Sequence, residues 1–314
     1  MEKAKALSVK NLTVMIPESG KRKEKTVLES ISFELGNREC IGIIGSSGSG
    51  KSVLMNGIIH SLREPLTVTS GTVSLEGLDL LQMDSKKMHD NILGKRIASI
   101  CPNPHFRLDP IDSVGNQISN IYRSHYKASK KEAAEKTIAL LNKVGIPDPK
   151  SRYHALPHEL SGGMAQRILV TMALICDPKI LLADEPTGGL DVTIQIQVFN
   201  LIRKLIKEKE CATIVSSRDI GLIYHLCDRI YVLKDGRFVE FGTVDEIINS
   251  PMHPYTAKLV RLAESNYLDR KSQAYKNYIE NAEKQYKKLI AGKEKQAKNG
   301  FVFVGGKHFV EARE

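Results

Sequence analysis

One eight-residue segment combines glycines, hydroxyls and a lysine at a spacing that suits phosphate binding. It reads Gly45, Ser46, Ser47, Gly48, Ser49, Gly50, Lys51 and Ser52, in full agreement with the pattern G-x-x-x-x-G-K-[ST]. An apolar strand pattern precedes it and a helix pattern follows. The glycines allow several backbone N–H groups to face one phosphate chain, and the helix start adds its positive dipole end. We therefore predict that Lys51 binds the β- and γ-phosphates of a nucleotide and that Ser52 holds Mg²⁺.

A second group of candidate catalytic residues lies where an apolar run ends in two acids. Residues 180–183 are Ile-Leu-Leu-Ala, and Asp184 and Glu185 follow directly. A buried strand that ends in charge presents that charge at the carboxyl edge of the sheet, where α/β proteins bind ligands. We expect Asp184 to hold Mg²⁺ through water and Glu185 to orient or deprotonate the attacking water. The alternative is a strand that simply emerges into solvent.

The composition limits the classes of protein that could contain these groups. The 314 residues are 41% hydrophobic and 26% charged, which is typical of a folded globular protein rather than a disordered one. No apolar run approaches the ~18–20 residues that a membrane span requires. The net charge of +10 could indicate nucleic acid or an anionic membrane, yet half of the excess lies in residues 266–314.

The five cysteines do not form a pattern typical of a metal site or a disulfide framework. They stand at positions 40, 101, 176, 211 and 227, with no close C-x-x-C pair and an odd total. Reduced thiols in the cytoplasm fit this usage better than disulfides do. Cys40 and Cys176 lie in apolar runs, where we expect them to pack in the core.

Alternating strand and helix patterns indicate an α/β fold with a parallel sheet and crossover connections. Strand patterns cover residues 7–16, 27–35, 40–44, 179–183, 212–216 and 230–242, the last as a hairpin. Helix patterns cover residues 51–62, 191–208 and 219–226. A mostly helical stretch at about 100–178 is interpreted as an insertion into the sheet. The composition changes near residue 265, so we predict a domain over 1–265 and a basic, cysteine-free C-terminal extension over 266–314.

A third segment resembles the signature of a known family. Residues 160–167 read Leu-Ser-Gly-Gly-Met-Ala-Gln-Arg, similar to the LSGGQ signature of ATP-binding cassette (ABC) proteins, and they precede Asp184 by the spacing that the family shows. Kinases, GTPases and helicases share the phosphate loop but lack this element. The resemblance implies that ATP is sandwiched between two cassettes, with this segment acting on the ATP of the opposite one. The residues concerned would be Ser161, Gly162, Gly163 and Gln166.

A narrower resemblance is to the ATPase subunits of oligopeptide, dipeptide and nickel importers. It depends on residues 157–167, 183–198 and 253–256, the last reading His-Pro-Tyr-Thr. In that family Asp191 belongs to the D-loop and would contact the partner's phosphate loop. The resemblance covers roughly residues 7–262. It implies a P-loop ABC cassette with a mostly parallel, RecA-like sheet, an antiparallel β subdomain and an inserted helical subdomain.

The same resemblance implies a function and a set of partners. The chain would couple ATP binding and hydrolysis to solute import, with oligopeptides or dipeptides favoured and nickel or another metal chelate as the alternative. Its partners would be a second ABC ATPase subunit, two transmembrane permease subunits and an extracytoplasmic solute-binding protein. It would lie peripherally on the cytoplasmic face of the membrane. Relatives often ligate an iron–sulfur cluster through cysteines near the C-terminus, and the cysteine-free residues 266–314 predict no such cluster here.

Three departures from the family pattern affect the expected mechanism. Pro102 stands where the Q-loop glutamine is expected, and Arg218 stands where the switch histidine is expected. Proline offers no side-chain ligand, and arginine can contact a γ-phosphate but cannot shuttle protons as imidazole does. No aromatic residue lies between Pro17 and Ser32 to stack on adenine. We predict an asymmetric heterodimer in which this chain's own site is degenerate while its signature completes the partner's site.

Two other functions stay open at this point. One is a regulatory cassette that binds ATP without hydrolysing it, which Pro102 and Arg218 would favour. The other is a soluble ABC protein that acts on nucleic acid, but such proteins usually have two cassettes or long insertions, so we expect no nucleic-acid partner. Tyrosines among the lysines of residues 266–298 could bind RNA or a membrane surface, although helical packing onto the cassette is the favoured interpretation.

Overall fold

The computed structural model describes residues 5–20, 23–264, 273–291, 293, 297 and 300–312. Its strands are β1 (Lys5–Ile16), β2 (Lys25–Gly36), β3 (Cys40–Ile44), β4 (Thr67–Leu75), β5 (Leu78–Asp79), β6 (Ile97–Ile100), β7 (Ile180–Asp184), β8 (Ala212–Ser217), β9 (Arg229–Lys234), β10 (Arg237–Thr243), β11 (Phe301–Gly305) and β12 (His308–Glu311). Its helices are α1 (Lys51–Ile58), α2 (Ser85–Lys87), α3 (Val114–His125), α4 (Lys130–Lys143), α5 (Pro149–Tyr153), α6 (Gly162–Leu174), α7 (Val192–Glu208), α8 (Ile220–Leu226), α9 (Val244–Asn249), α10 (Pro254–Glu264) and α11 (Gln273–Ile290). None of these helices, within the described residues, is long and apolar enough to cross a membrane.

The chain divides into two compact units. The first consists of residues 1–7, 34–39 and 74–214, and the second of residues 8–33, 40–73 and 215–314. The predicted domain boundary near residue 265 falls among residues 265–272, outside the described part of the chain, and it stays a prediction.

The first unit contains the helices α3 to α6 that the sequence predicts as an insertion. Hydroxyl groups join three of them: Ser119 on α3 lies 3.0 Å from Thr137 on α4 and 3.0 Å from Tyr153 on α5, and all three residues are buried. The parallel pair β6–β7 places Ile97 opposite Ile180. The sequence did not predict β6, because its four residues, Ile-Ala-Ser-Ile, are too few to show a period.

The second unit contains a sheet in the strand order β11–β12–β10–β9–β3. β3 and β9 pair in parallel, whereas β9, β10, β12 and β11 pair antiparallel in that order. β9 and β10 form the predicted hairpin, with positive φ at both Asp235 and Gly236.

The helix α1 ends earlier than predicted, at Ile58 rather than near residue 62. His60, just beyond it, has a φ of 51°, and a helix cannot continue through a residue with that angle.

One face of this sheet has a row of aromatic rings in direct register. Tyr231, Phe241, Phe309 and Phe303 lie opposite one another on β9, β10, β12 and β11. Neighbouring ring centroids are 5.1, 4.8 and 5.3 Å apart along the row. Cross-strand aromatic pairs of this kind stabilise a sheet beyond the area that they bury, and here they extend the sheet into the C-terminal strands.

On the opposite face, α11 packs against β12. Tyr286 and Ile290 pack with Val310 of β12 in a buried cluster. The Tyr286 hydroxyl donates a hydrogen bond of 2.8 Å to the carbonyl oxygen of Glu311. Within the described residues, this agrees with the interpretation of the tail as a helix that packs against the rest of the chain.

Candidate functional site

The phosphate loop connects β3 and α1 in the second unit. All five residues of β3 are buried, and the loop starts where this strand ends. A Cβ atom on Gly45 would lie 2.3 Å from the carbonyl oxygen of Leu233, so no larger residue fits there. Gly50 has a φ of 108°, which side-chain-bearing residues rarely adopt. The loop conformation therefore requires glycine at both positions.

Lys51 turns its ammonium group into this loop. The residue is buried, and Nζ donates hydrogen bonds to the carbonyl oxygens of Gly45 at 2.8 Å and Ser46 at 3.0 Å. Ser49 Oγ is also buried and has no hydrogen-bond partner among the described residues. A buried cation, an unused hydroxyl and the N-terminus of α1 together fit an anionic phosphate chain. Ser52, exposed in the first turn of α1, can offer its hydroxyl to Mg²⁺.

Tyr255 on α10 contacts the loop, and the sequence had not predicted this contact. Its hydroxyl accepts a hydrogen bond from the backbone N–H of Ser46 at 2.8 Å and donates one to Ser46 Oγ at 3.0 Å. The other exposed residues at the tip of the loop are Ser47 and Gly48. The only signal in the sequence was the motif His-Pro-Tyr-Thr, which marks a resemblance but does not say what its tyrosine touches.

Asp184 and Glu185 lie at the end of β7 in the first unit. β7 is buried throughout, including Asp184. Glu185 is half-buried and has a φ of 43°, and its carbonyl oxygen accepts a hydrogen bond of 2.9 Å from the N–H of Gly188. A positive φ is strained for glutamate, and backbone strain of this kind is concentrated at functional sites. The buried carboxylate of Asp184 suits a ligand of a cation, and the more exposed carboxylate of Glu185 suits a base.

The signature segment and Asp191 are neighbours in the first unit. Ser161 caps α6 by accepting a hydrogen bond from the N–H of Met164 at 3.3 Å. Asp191 caps α7 by accepting one from the N–H of Ile194 at 3.0 Å. A Cβ atom on Gly163 would lie 2.9 Å from Ile194 Cγ2, so the absence of a side chain lets the two helix starts approach closely.

The surface around these two helix starts is partly apolar. Val192 is 70% exposed and Ile196 is 50% exposed, both on the first turns of α7. Gln166, in contrast, is 1% exposed, and its Nε2 has no hydrogen-bond partner in the described part of the chain. Ser161 and Asp191 are therefore exposed at this surface, whereas Gln166 is not.

The two residues that depart from the family pattern lie on loops that follow strands. Pro102 is half-buried after β6, and Asn103 beside it has a φ of 61°. Phe106 and Ile111, further along the same loop, are 90% and 86% exposed. Arg218 is exposed directly after β8 in the second unit. Pro102 leaves its position without a polar side chain, whereas Arg218 places a permanent positive charge on the surface.

The chain matches the family described as ABC transporter over residues 28–188. It is 38% identical over 260 residues to the oligopeptide transport ATP-binding protein AmiE of Streptococcus pneumoniae, which covers 83% of this chain and 73% of that protein. It is 40% identical over 255 residues to the dipeptide transport ATP-binding protein DppD of Haemophilus influenzae, covering 81% and 76%. It is 41% identical over 251 residues to the oligopeptide transport ATP-binding protein OppD of Bacillus subtilis, covering 80% and 69%.

Solved structures with a similar fold are ABC cassettes. The ATP-binding cassette MJ0796, a dimer in a post-hydrolysis state bound to ADP and phosphate, has a TM-score of 0.67 at 24% identity and covers 76% of this chain and 98% of that one. CbiO1 of Clostridium perfringens, part of the ABC transporter complex CbiONQ, has a TM-score of 0.66 at 23% identity, with coverages of 85% and 97%. These similarities confirm the predicted α/β fold of a P-loop ABC cassette.

Proposed function

This chain belongs to the ABC family of transporter ATPases, and on that basis we propose that it is the ATP-binding subunit of a peptide importer. The observation that supports ATP binding most directly is the buried ammonium group of Lys51 inside a complete phosphate loop. Peptide transport is supported by the relatives, because the three described above are oligopeptide or dipeptide transport proteins. A nickel or metal-chelate importer is the less favoured alternative.

The proposed roles of the site residues follow from their positions. Residues 45–52 bind the phosphates of ATP, with Lys51 supplying charge and Ser52 a hydroxyl ligand for Mg²⁺. Asp184 contributes to Mg²⁺ binding through water, and Glu185 orients the attacking water or takes its proton. Bound Mg²⁺ would neutralise charge on the phosphate oxygens. Arg218 is assigned a weaker role, as a positive group for the γ-phosphate.

We further propose that the chain works in an asymmetric heterodimer. Its own site retains Glu185 but has Pro102 and Arg218 where a ligand and a proton-shuttling imidazole are needed, so ATP turns over slowly there. Ser161, Gly162 and Gly163 would complete the partner's site, with Asp191 beside them as a further contact. The exposed Val192 and Ile196 support a protein contact at this surface.

The remaining partners are proposed from the relatives. Two membrane permease subunits would receive the motion of the cassettes, and the exposed Phe106 and Ile111 are candidates for contacting them. A solute-binding protein outside the membrane would act on the permeases. This chain would then lie peripherally on the cytoplasmic face of the membrane.

A regulatory cassette that binds ATP without hydrolysing it is the second candidate, because Pro102 and Arg218 could abolish turnover altogether rather than slow it. Single-turnover assays on the purified complex separate the two. Slow release of phosphate from a complex whose partner cassette has its catalytic glutamate changed to glutamine supports slow turnover by this chain. Complete retention of ATP supports the regulatory role.

The test of the asymmetric mechanism is Glu185→Gln in the reconstituted transporter. We expect most of the ATP turnover to remain, because the partner's site performs most of it. The matched control is the corresponding glutamate-to-glutamine change in the partner cassette, which should abolish turnover. Complete loss of turnover with Glu185→Gln alone would contradict the asymmetric mechanism but not the assignment as an ABC ATPase.

A further inference from the structure

Glu240 on β10 is a buried carboxylate that joins the C-terminal strands to the start of α10. It is fully inaccessible, and its Oε1 lies 2.5 Å from Nε2 of His308 on β12. It also accepts hydrogen bonds from the backbone N–H groups of Met252 at 2.7 Å and His253 at 3.0 Å. A buried carboxylate with three partners is held in one position, because losing any partner leaves a charge poorly solvated. Glu240 therefore ties β12 to residues 252–253.

The same connection continues from His253 into the phosphate loop. The backbone N–H of Tyr255 donates a hydrogen bond of 3.0 Å to Nδ1 of His253, which makes this nitrogen an acceptor. The Tyr255 hydroxyl then accepts from Ser46 N–H and donates to Ser46 Oγ. All of these residues lie in the second unit, and the hydrogen bonds between them are joined through the covalent frames of His253 and Tyr255.

The Tyr255 ring is half-buried, and Nζ of Lys234 lies 5.7 Å from its centroid. The ring borders a cavity of about 550 Å³ that is also lined by Lys234, Lys258 and Tyr286. A side chain beside a cavity of this size has room to change rotamer. The two hydrogen bonds to Ser46 hold the hydroxyl on the loop.

Ser46 is held from two sides in this structure. Tyr255 bonds its N–H and its hydroxyl, while the ammonium group of Lys51 bonds its carbonyl oxygen at 3.0 Å. When phosphate enters the loop, it competes with that carbonyl for the Lys51 ammonium group. The contacts of Tyr255 with Ser46 do not involve that carbonyl oxygen.

We propose that Tyr255 is a positioning residue for ATP binding and that His308 sets its position through Glu240. The proposal rests on the proposed ATP site at this loop. Without the hydroxyl, the loop would have to be ordered by the nucleotide itself, and that ordering would weaken binding. The C-terminal strands would thus tune the affinity of the phosphate loop, although their residues are not part of the nucleotide-binding motifs.

The experiment measures binding of the Mg²⁺ complex of a non-hydrolysable ATP analogue to the full chain by calorimetry. Tyr255→Phe removes only the hydroxyl, and Tyr224→Phe, on the exposed face of α8, is the matched control. We expect Tyr255→Phe, which removes both hydrogen bonds to Ser46, to raise Kd about threefold to tenfold, while Tyr224→Phe leaves Kd unchanged. Thermal unfolding of Tyr255→Phe should stay close to that of the wild type, which distinguishes positioning from general stability.

A double-mutant cycle tests the role of His308. If His308 acts through Tyr255, His308→Gln raises Kd, and adding it to Tyr255→Phe raises Kd no further. Wild-type affinity in Tyr255→Phe would overturn the positioning role. Independent effects of Tyr255→Phe and His308→Gln would overturn the link to β12. Lys51→Ala tests the ATP site itself: unchanged binding in that variant would overturn both the ATP site and the positioning role of Tyr255.

Discussion

The Nζ atom of Lys51 lies 2.8 Å from the carbonyl oxygen of Gly45, at the other end of the same loop. The ammonium group is thus already inside the cradle, bonded to neutral oxygens that a phosphate can replace. Binding requires an exchange of partners rather than a large movement of the lysine. This relationship explains why a buried cation persists there, since backbone carbonyls supply part of the solvation that water would give.

Lys51→Met should weaken binding of Mg²⁺–ATP by about tenfold to a hundredfold, because it removes a charge-assisted hydrogen bond but keeps the apolar stem. Calorimetry on the full chain measures this. The matched control is Lys284→Met, at an exposed position of α11. Equal affinities in the two variants would mean that the nucleotide does not engage this loop.

Restoring the two missing side chains should increase turnover at this chain's own site. We expect Pro102→Gln with Arg218→His to raise ATP hydrolysis by at least about tenfold in a complex whose partner cassette lacks its catalytic glutamate, because an imidazole near neutral pKa can accept and return a proton. Arg218→Lys preserves the charge without the imidazole and serves as the control. An unchanged rate of ATP hydrolysis in this complex would show that other residues limit turnover at this site.

Acidification should destabilise the second unit through His253. Burial and the nearby charge of Lys234 lower the pKa of His253 to about 4. The unfolded imidazole takes up a proton below about pH 6.5, whereas the folded one stays neutral down to about pH 4. The free energy of unfolding therefore falls as the pH drops through this window, by roughly 3 kcal/mol in total.

Chemical denaturation at pH 7.5 and pH 5 measures this loss. His253→Asn does not titrate and keeps an acceptor near the position of Nδ1, so its loss between the two pH values should be smaller. Other carboxylates and imidazoles titrate equally in both proteins and cancel in the difference. If the free energy of unfolding falls equally with pH in the two proteins, His253 is not the source of the loss of stability.

Cys101 should react first with thiol reagents. It is half-buried, whereas Cys40, Cys176, Cys211 and Cys227 are buried. Burial also raises the pKa of the Cys176 thiol to about 11, so it holds almost no thiolate at neutral pH. Mass spectrometry after brief treatment with N-ethylmaleimide should find one modified site, next to Pro102, and no fast-reacting site in Cys101→Ser. Early labelling of a buried cysteine would indicate that its unit opens readily.

Local patterns were enough to predict the phosphate loop, the acid pair and the signature, since each is a contiguous segment at the end of a strand or the start of a helix. The contact of Tyr255 with Ser46 joins residues 209 positions apart, and no periodicity encodes such a distance. The burial of Gln166, in contrast, could be predicted from the sequence. Gln166 precedes Leu169 and Val170 by three and four positions, so the helical period places it on the buried face of α6.

Pairing of β12 with β10 has a consequence for synthesis of the chain on the ribosome. Until residues 308–311 have emerged, β10 presents an open strand edge, with Phe241 beside it, to any other nascent chain. Such edges recruit further strands and begin aggregation. Addition of β12 closes this edge, so a product that stops before residue 301 would retain every nucleotide-binding motif and yet accumulate as insoluble protein.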